Sequence, residues 1–438
     1  MPMSTFELNS TSPLRIAKVM LHTSPLDQAG IGDAGGMNTY VIESAKKLSA
    51  AGNEVDIFTR AATADLPDVV EIATGVRVRH LHAKPYEGVS KNDIPALQDQ
   101  LIADFYRHTK QSDGYDLIHS HYWTSGTFAK QISRETSIPF VHTFHTTAKV
   151  KNSSLADGER PEPLSRSIGE EKVVSEAAAI IANTDSEAAG LVSLYGACPD
   201  RVFVATPGVN LTEFQPGDGR LAARENLGID PDKFILMFVG RVQPHKGPDV
   251  LIRAVAEIIA HNPNLRGKLN ALIIGGVSGE EKTDSIGELD KLENLANWLG
   301  VGDVVRFLPP AARHKLPDWY RAADIVCVPS YSESFGLVAL EAQACGKPVV
   351  ATAVGGLRTA VSDGFSGVLI DGHDPKAWSA VLLRLAAQPE RLLTLSKGAL
   401  QHASQFGWDQ TATSLLEVYQ KAIKESQQLR LTAAVSFD

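Results

Sequence analysis

Short apolar, β-branched runs recur from one end of this chain to the other, with helix-length stretches between them, and they fall into two series. "RIAKVMLHT", "EVDIFTR", "YDLIHSHYW", "IPFVHTFHT", "AAAIIANT" and "RVFVATPG" make up the first. "FILMFVGRV", "LNALIIGG", "DVVRFLPP", "ADIVCVPS", "KPVVATAVGG" and "SGVLIDG" make up the second. Runs that are apolar along their whole length, rather than alternating, predict strands buried on both faces, and such strands belong to parallel sheets sandwiched between helices. The turn-rich "TPGVNLTEFQPGDG" lies near mid-chain between the series and predicts a hinge around residues 207–217. The expected fold class is α/β, with two Rossmann-like domains facing each other across a cleft.

Composition narrows the functions available. The chain has 438 residues, 43% hydrophobic and 21% charged, which is ample for two cores. Lys and Arg number 42 against 51 acids, a net charge of −9 with no basic tract, so nucleic acid is not an expected partner. Cys198, Cys327 and Cys345 are an odd number without CxxC spacing, which argues against a disulfide framework or structural zinc and suits a reducing cytoplasm. The opening "MPMSTFELNSTSPLRIAKVML" lacks the apolar core of an export signal, and no run of about 18 apolar residues occurs, so no transmembrane segment is expected.

Ligands of doubly wound sheets bind beyond the carboxyl ends of the strands, which makes the residues following each strand the candidates. After the first strand, "HTSPLDQAGIGDAGGMNTYV" places small residues before a helix expected to start near Met37, an arrangement that lets backbone N–H groups approach an anion. Its spacing is not GxGxxG and no acid closes "EVDIFTR", so a nicotinamide dinucleotide is not supported. In the second half, "VGRVQPHKG" offers Arg241 and Lys246 to a diphosphate, the first as a planar fork and the second as a mobile point charge. "PSYSESFGLVALEAQACGKPVV" adds Glu333 and Glu341, on a helix expected to begin near Ser334. Eight helical residues separate them by about 12 Å along the axis and about 80° around it. That is too far for a pair of carboxylates acting on one glycosidic bond. The spacing suits opposite ends of a long ligand, a sugar at Glu333 and a ribose at Glu341, with a diphosphate between them.

Together these segments resemble the retaining GT-B glycosyltransferases of the GT4 type, whose signature E-x7-E is here Glu333 to Glu341, from about residue 15 to 425. Within that family "PYEGVSK", "LIHSHYW" and "VHTFHTTAKVKN" are similar to the branch that moves N-acetylglucosamine from UDP to 1D-myo-inositol 3-phosphate, the first step of mycothiol biosynthesis. The resemblance implies an acceptor-side domain over 1–210, a nucleotide-sugar domain over 211–407 and a terminal helix, 408–438, crossing back to the first domain. It implies a donor site of Gln28, Ala29, Gly36, Arg241, Lys246, Ala311, Glu333 and Glu341. The acceptor is assigned His22, Asp33, Ala34, Gly35, Gly36, Met37, Asn38, Lys91, Tyr122, Thr146 and Arg166, a set with the cations and hydroxyls that suit a phosphorylated polyol. His145 would orient the donor sugar, and Arg241, Lys246 and Glu333 would complete the catalytic set. The implied chemistry needs no cofactor. A structural magnesium ion is implied at the backbone carbonyls of Tyr320, Arg321 and Ala323, with Lys347 at the remaining position, and a homodimer is the assembly.

Other readings share parts of this pattern. His119, His121, His142 and His145 are the elements of a zinc site, although a further shell of partners is not evident. Asp230 to Asp232, "DPD", reads as a turn. A UDP-sugar 2-epimerase or a nucleotide-sugar-binding protein would use the same two-domain cleft. Among transferases the alternatives are enzymes like sucrose-phosphate synthase or phosphatidylinositol mannosyltransferase.

Overall fold

The computed structural model describes residues 12–28, 30–110, 114–276 and 287–435. In the first half, β1 (Arg15–Val19), β2 (Glu54–Arg60), β3 (Val69–Ala73), β4 (Val76–Leu81), β5 (Leu117–His121), β6 (Phe140–Thr143), β7 (Ala179–Ala182) and β8 (Val202–Val204) form one sheet in the order β3-β4-β2-β1-β5-β6-β7-β8. In the second, β9 (Phe234–Val239), β10 (Leu269–Ile274), β11 (Val305–Leu308), β12 (Ile325–Val328), β13 (Val349–Thr352) and β14 (Gly367–Ile370) follow β11-β10-β9-β12-β13-β14. Both sheets reverse direction beside their first strand, and that reversal opens a crevice at the carboxyl edge.

Every pairing is parallel except β3 with β4. Those two strands are absent from the sequence expectation. They lie at one edge, where "VVEIATGVRVRHL" alternates apolar and polar residues and is half exposed, so the continuous apolar signature does not apply. Elsewhere the two-residue repeat sends successive side chains into separate cores. Ala17 and Val19 join one cluster and Ile16 and Met20 the other, as do Leu236 and Phe238 against Ile235 and Met237.

The chain crosses between domains twice, and the two crossings touch. Val209 bridges to Gly407, and its N–H donates to the Phe406 carbonyl at 2.8 Å. Gly208 permits the contact, because a Cβ there would lie 2.4 Å from the Trp408 nitrogen. The helix Trp408–Val435 then lies on the first domain, where Trp408, Ala412, Leu415, Tyr419 and Ala422 complete the cluster containing Ile16, Tyr40 and Val41. Thr411 donates to the Thr206 carbonyl at 2.7 Å, and Tyr419 shares a 2.6 Å hydrogen bond with His119.

Candidate active site

Two adjoining cavities occupy the cleft. One, about 240 Å³, is lined by His22, Lys91, Tyr122, His145, Thr146 and Arg166 from the first domain and by Glu333 and Ser334 from the second. The other, about 140 Å³, is lined by Ala311, Arg313, Tyr320 and Glu341. Gly35, Gly36, Arg241, Lys246, Leu337 and Val338 line both and form the passage between them.

The passage is cationic on one side and closely approached by backbone on the other. Lys246 ends a short 3₁₀ turn after β9, and its ammonium lies 2.7 Å from the Glu333 carboxylate. Arg241 lies 3.9 Å from Asp33 across the cleft, beside Gly35. The helix carrying Glu341 starts at Leu337, later than the expected Ser334, with Gly336 at its N-cap. Glu333 therefore stands outside the helix, in the loop after β12. Its backbone carbonyl accepts from the Gly356 N–H at 2.9 Å, and a Cβ on Gly355 would sit 2.2 Å from that same oxygen. Burial acts to raise the Glu333 pKa, but Lys246, His245 and Arg241 outweigh it and hold the carboxyl below its ordinary range. Glu341 responds in the other direction. Burial raises its pKa against the opposing effects of Arg313 at 3.6 Å and the Tyr320 hydroxyl at 2.9 Å.

The first domain contributes rings. His22 and Tyr122 lie with centroids 4.2 Å apart. His145 adopts φ +62° after β6, which turns it away from the strand, and its Nε2 shares a 3.0 Å hydrogen bond with His121 Nδ1. Burial is the main effect lowering both His22 and His145 to about 3, so both rings are neutral at ordinary pH. The Ser334 hydroxyl donates to the His145 carbonyl and ties the two domains together at the cavity. Among the described residues no cluster of three or more His, Cys, Asp or Glu is placed to hold a metal, so the zinc reading finds no geometry. His119 is spent on Tyr419 and Thr143, and His142 on Ser120.

Several expected site residues take other positions. Gln28 is exposed on the first loop and lines neither cavity, and Ala29 lies outside the described residues. Asp33, Gly35, Gly36 and Met37 line the larger cavity, whereas Ala34 is buried behind it. Asn38 holds the loop in shape: its side chain accepts from the Gly35 N–H at 3.0 Å and donates to the Ser24 carbonyl at 2.7 Å and the Thr23 hydroxyl at 3.2 Å. Arg166 does reach the cavity, with its guanidinium 4.9 Å from the Tyr122 ring centroid, but it is already paired with Glu162 at 3.0 Å and Glu170 at 2.8 Å.

The surroundings of Tyr320, Arg321 and Ala323 do not fit magnesium. The Tyr320 carbonyl accepts from the Ala323 N–H at 3.1 Å, and Arg321 reaches Gln215 and Asp318. Arg224 and Arg220 engage Asp324 at 2.7 and 3.0 Å, next to Lys347, which burial lowers to about 8. Two guanidinium groups and the Lys347 ammonium share the single Asp324 carboxylate beside this segment, an excess of positive charge that disfavours a divalent ion.

Arg313, Glu162 and Lys151 are cleft residues that sequence reasoning missed. Arg313 bridges the domains, reaching Glu341, Glu213 at 3.2 Å and the Thr39 hydroxyl at 3.1 Å. Lys151 pairs with Glu162 at 2.6 Å on the wall of the larger cavity. "PPAARHK" does place Arg313 soon after β11, in reach of the rule that strand ends carry the site.

Residues 34–213 match the Glycosyltransferase Family 4 description and residues 220–402 match Glycosyl transferases group 1. Sucrose-phosphate synthase from Thermosynechococcus elongatus superposes with a TM-score of 0.84 at 30% identity, covering 94% of this chain and 100% of its own. HepE from Anabaena, solved in complex with UDP and glucose, shares the fold with a TM-score of 0.71 at 20% identity, over 92% of this chain and 98% of that one. D-inositol 3-phosphate glycosyltransferase 2 of Catenulispora acidiphila is 51% identical over 420 residues, covering 95% of this chain and 97% of its own. D-inositol 3-phosphate glycosyltransferase of Thermobispora bispora is 51% identical over 412 residues, covering 94% of this chain and 95% of its own. With half its residues shared over nearly the full length of such relatives, and with two Rossmann-like domains closing on a divided cleft, this chain belongs to the D-inositol 3-phosphate glycosyltransferases of the GT4 type and GT-B fold.

Proposed function

We propose that the enzyme transfers N-acetylglucosamine from UDP-N-acetylglucosamine to 1D-myo-inositol 3-phosphate, the first step of mycothiol biosynthesis, with retention at the anomeric carbon. The observation that carries the assignment is the division of the cleft. The smaller cavity, with Ala311, Arg313 and Glu341, suits uracil and ribose, the cationic passage suits a diphosphate, and the larger cavity suits two polyols. Lys91, Arg166 and Tyr122 give that larger cavity its affinity for a phosphate monoester. Identity near half of all residues favours the inositol phosphate acceptor over the sucrose-phosphate reading, whose structural counterpart shares 30%. The three free cysteines suit a reducing cytoplasm.

A covalent sugar intermediate is not favoured, because each carboxylate on the larger cavity's wall has a cation beside it. Asp33 faces Arg241, Glu162 faces Arg166 and Lys151, and Glu333 faces Lys246. The anomeric carbon–oxygen bond breaks toward UDP and the acceptor oxygen bonds to that carbon on the same face. The acceptor hydroxyl proton passes to a β-phosphate oxygen. Arg241 and Lys246 stabilise the charge that develops on the diphosphate. His145, neutral, contributes a hydrogen bond to the sugar rather than a proton. The test is UDP release from UDP-N-acetylglucosamine with inositol 3-phosphate, inositol or fructose 6-phosphate, with NMR of the product anomer. Inositol 3-phosphate is expected to be preferred at least about tenfold over inositol. Activity with fructose 6-phosphate alone would replace this acceptor assignment, and an inverted product would remove the mechanism.

A further inference from the structure

Asn183 follows β7 and precedes the helix Asp185–Tyr195, whose N-cap is Thr184. It is 2% exposed and lines the larger cavity, yet none of the roles above uses it. Its amide is fixed in orientation. Glu187 accepts the Asn183 backbone N–H at 2.8 Å and a further hydrogen bond from its side chain. The NH₂ end of the amide is the one turned toward that carboxylate, which leaves Oδ1 on the opposite side, buried without a partner in the protein. Native folds rarely leave a buried acceptor in that state unless a ligand or water relieves it.

Sheet order indicates which ligand. Along β4-β2-β1-β5-β6-β7-β8, the acceptor groups Lys91, His22 and Tyr122 follow β4, β1 and β5, on one side of His145 at the end of β6. Asn183 stands on the other side, toward Pro207, which follows β8 and shares the cavity wall. A small adjoining cavity of about 100 Å³ runs from Thr184 and Glu187 to Glu333 and Ser334, so this flank faces the loop that carries Glu333. In the reading above, that is where the transferred sugar sits.

We propose that Asn183 recognises the donor, its Oδ1 accepting a hydrogen bond from a hydroxyl or the acetamido N–H of the transferred sugar. The inference rests on the glycosyl-transfer reading for its ligand. It has a test that needs no acceptor: calorimetric affinity of wild type and Asn183→Ala for UDP, UDP-N-acetylglucosamine and UDP-glucose.

The variant is expected to bind UDP as wild type does and to lose about tenfold in affinity for the UDP-sugar, with a matching fall in kcat/KM for the donor and an unchanged KM for inositol 3-phosphate. A loss confined to UDP-N-acetylglucosamine places the contact on the acetamido group. An equal loss for both sugars places it on a shared hydroxyl. Asn53→Ala serves as the structural control, since Asn53, at the amino end of β2 and outside all three cavities, accepts from the Leu14 N–H at 3.0 Å and donates to the Leu48 carbonyl at 2.9 Å. It should lower the melting temperature and leave donor affinity intact. Unchanged UDP-sugar affinity in Asn183→Ala, an equal loss for UDP itself, or the same donor loss in Asn53→Ala would overturn the proposal. A wild type inactive toward inositol 3-phosphate would overturn the acceptor assignment instead, and the binding comparison would still decide the role of Asn183.

Discussion

The order β4-β2-β1-β5-β6-β7 in one sheet matches β11-β10-β9-β12-β13-β14 in the other, but the two carboxyl edges carry different chemistry. At the second edge the side chains are charged and paired: Lys246 with Glu333 and Arg313 with Glu341. At the first the rings are neutral: His22 and His145 are half-buried and Tyr122 and Tyr40 buried on the cavity wall, with His121 buried behind them. The charges of the acceptor side, Lys91, Lys151, Glu162 and Arg166, come from loops and from the two helices Ala148–Asn152 and Leu164–Glu176 instead. One edge thus holds a charged ligand by exchanging internal ion pairs for ligand contacts. The other surrounds the reacting bond with imidazole rings that stay neutral near pH 7.

Acidification should separate the two edges most strongly. His22 and His145 fall from 6.5 to about 3 on folding, chiefly through burial, and His119, His121 and His142 are also driven well below 6.5. Between the folded and unfolded values the unfolded chain binds more protons, so stability falls as pH falls below about 6.5. Each such histidine contributes up to about 1.4 kcal/mol per pH unit. Denaturant melts from pH 7.5 to 4.5 should show this, with hydrogen exchange placing the earliest loss in the first sheet. An equal loss in both sheets would break the contrast.

Arg166→Ala is expected to destabilise rather than to alter selectivity alone. It leaves Glu170, which is 0% exposed, without its counter-ion, holding only the hydrogen bonds from the Ala148 N–H and the Tyr195 hydroxyl, at a cost of about 3 kcal/mol in a thermal or urea melt. Lys91→Ala should leave the melt nearly unchanged while raising the KM for inositol 3-phosphate about tenfold. Identical behaviour of the two variants would show that the acceptor cations act as one unit.

Removing a charge from the passage should cost turnover. Lys246→Ala and Arg241→Ala are each expected to lower kcat by about 10²-fold or more, as loss of one preorganised charge-stabilising group does. Undiminished turnover would take the diphosphate out of this passage. The smallest effect belongs to Glu341→Gln, which keeps a hydrogen-bonding amide beside Tyr320 and Arg313. It should weaken UDP about tenfold by calorimetry, with little change in kcat.

These contrasts were unevenly legible in the sequence. Arg241, Lys246, Glu333 and Ala311 follow strands whose unbroken apolar runs announce them, so their place at the carboxyl edge was readable. The sequence nevertheless puts Glu333 at the entrance of a helix that begins three residues late, because Ser334 reads as an N-cap, whereas its hydroxyl donates to the His145 carbonyl and Gly336 takes the cap position. Asn38 and Arg166 are residue types that suit a ligand, and only tertiary structure shows their internal partners. Asn183 carried no signal at all. Its significance arises from Glu187 one helical turn on and from an oxygen left without a partner.

The helix Trp408–Val435 has a consequence for how the protein comes into being. Tyr419 meets His119 across 300 residues of chain, and Trp408, Leu415 and Tyr419 fill the same core as Ile16 and Val41. The domain that leaves the ribosome first is therefore finished last: the face of its sheet under the helix Gly36–Ala50 stays only partly covered until residues 408–422 are synthesised, and contacts of such long range form slowly. Limited proteolysis of the chain truncated after Gly407 should find the helix Gly36–Ala50 open to cleavage and the β9–β14 domain already resistant. Translation of the whole chain then acts as a checkpoint, because the acceptor half of the cleft takes shape only after the donor half is already in place.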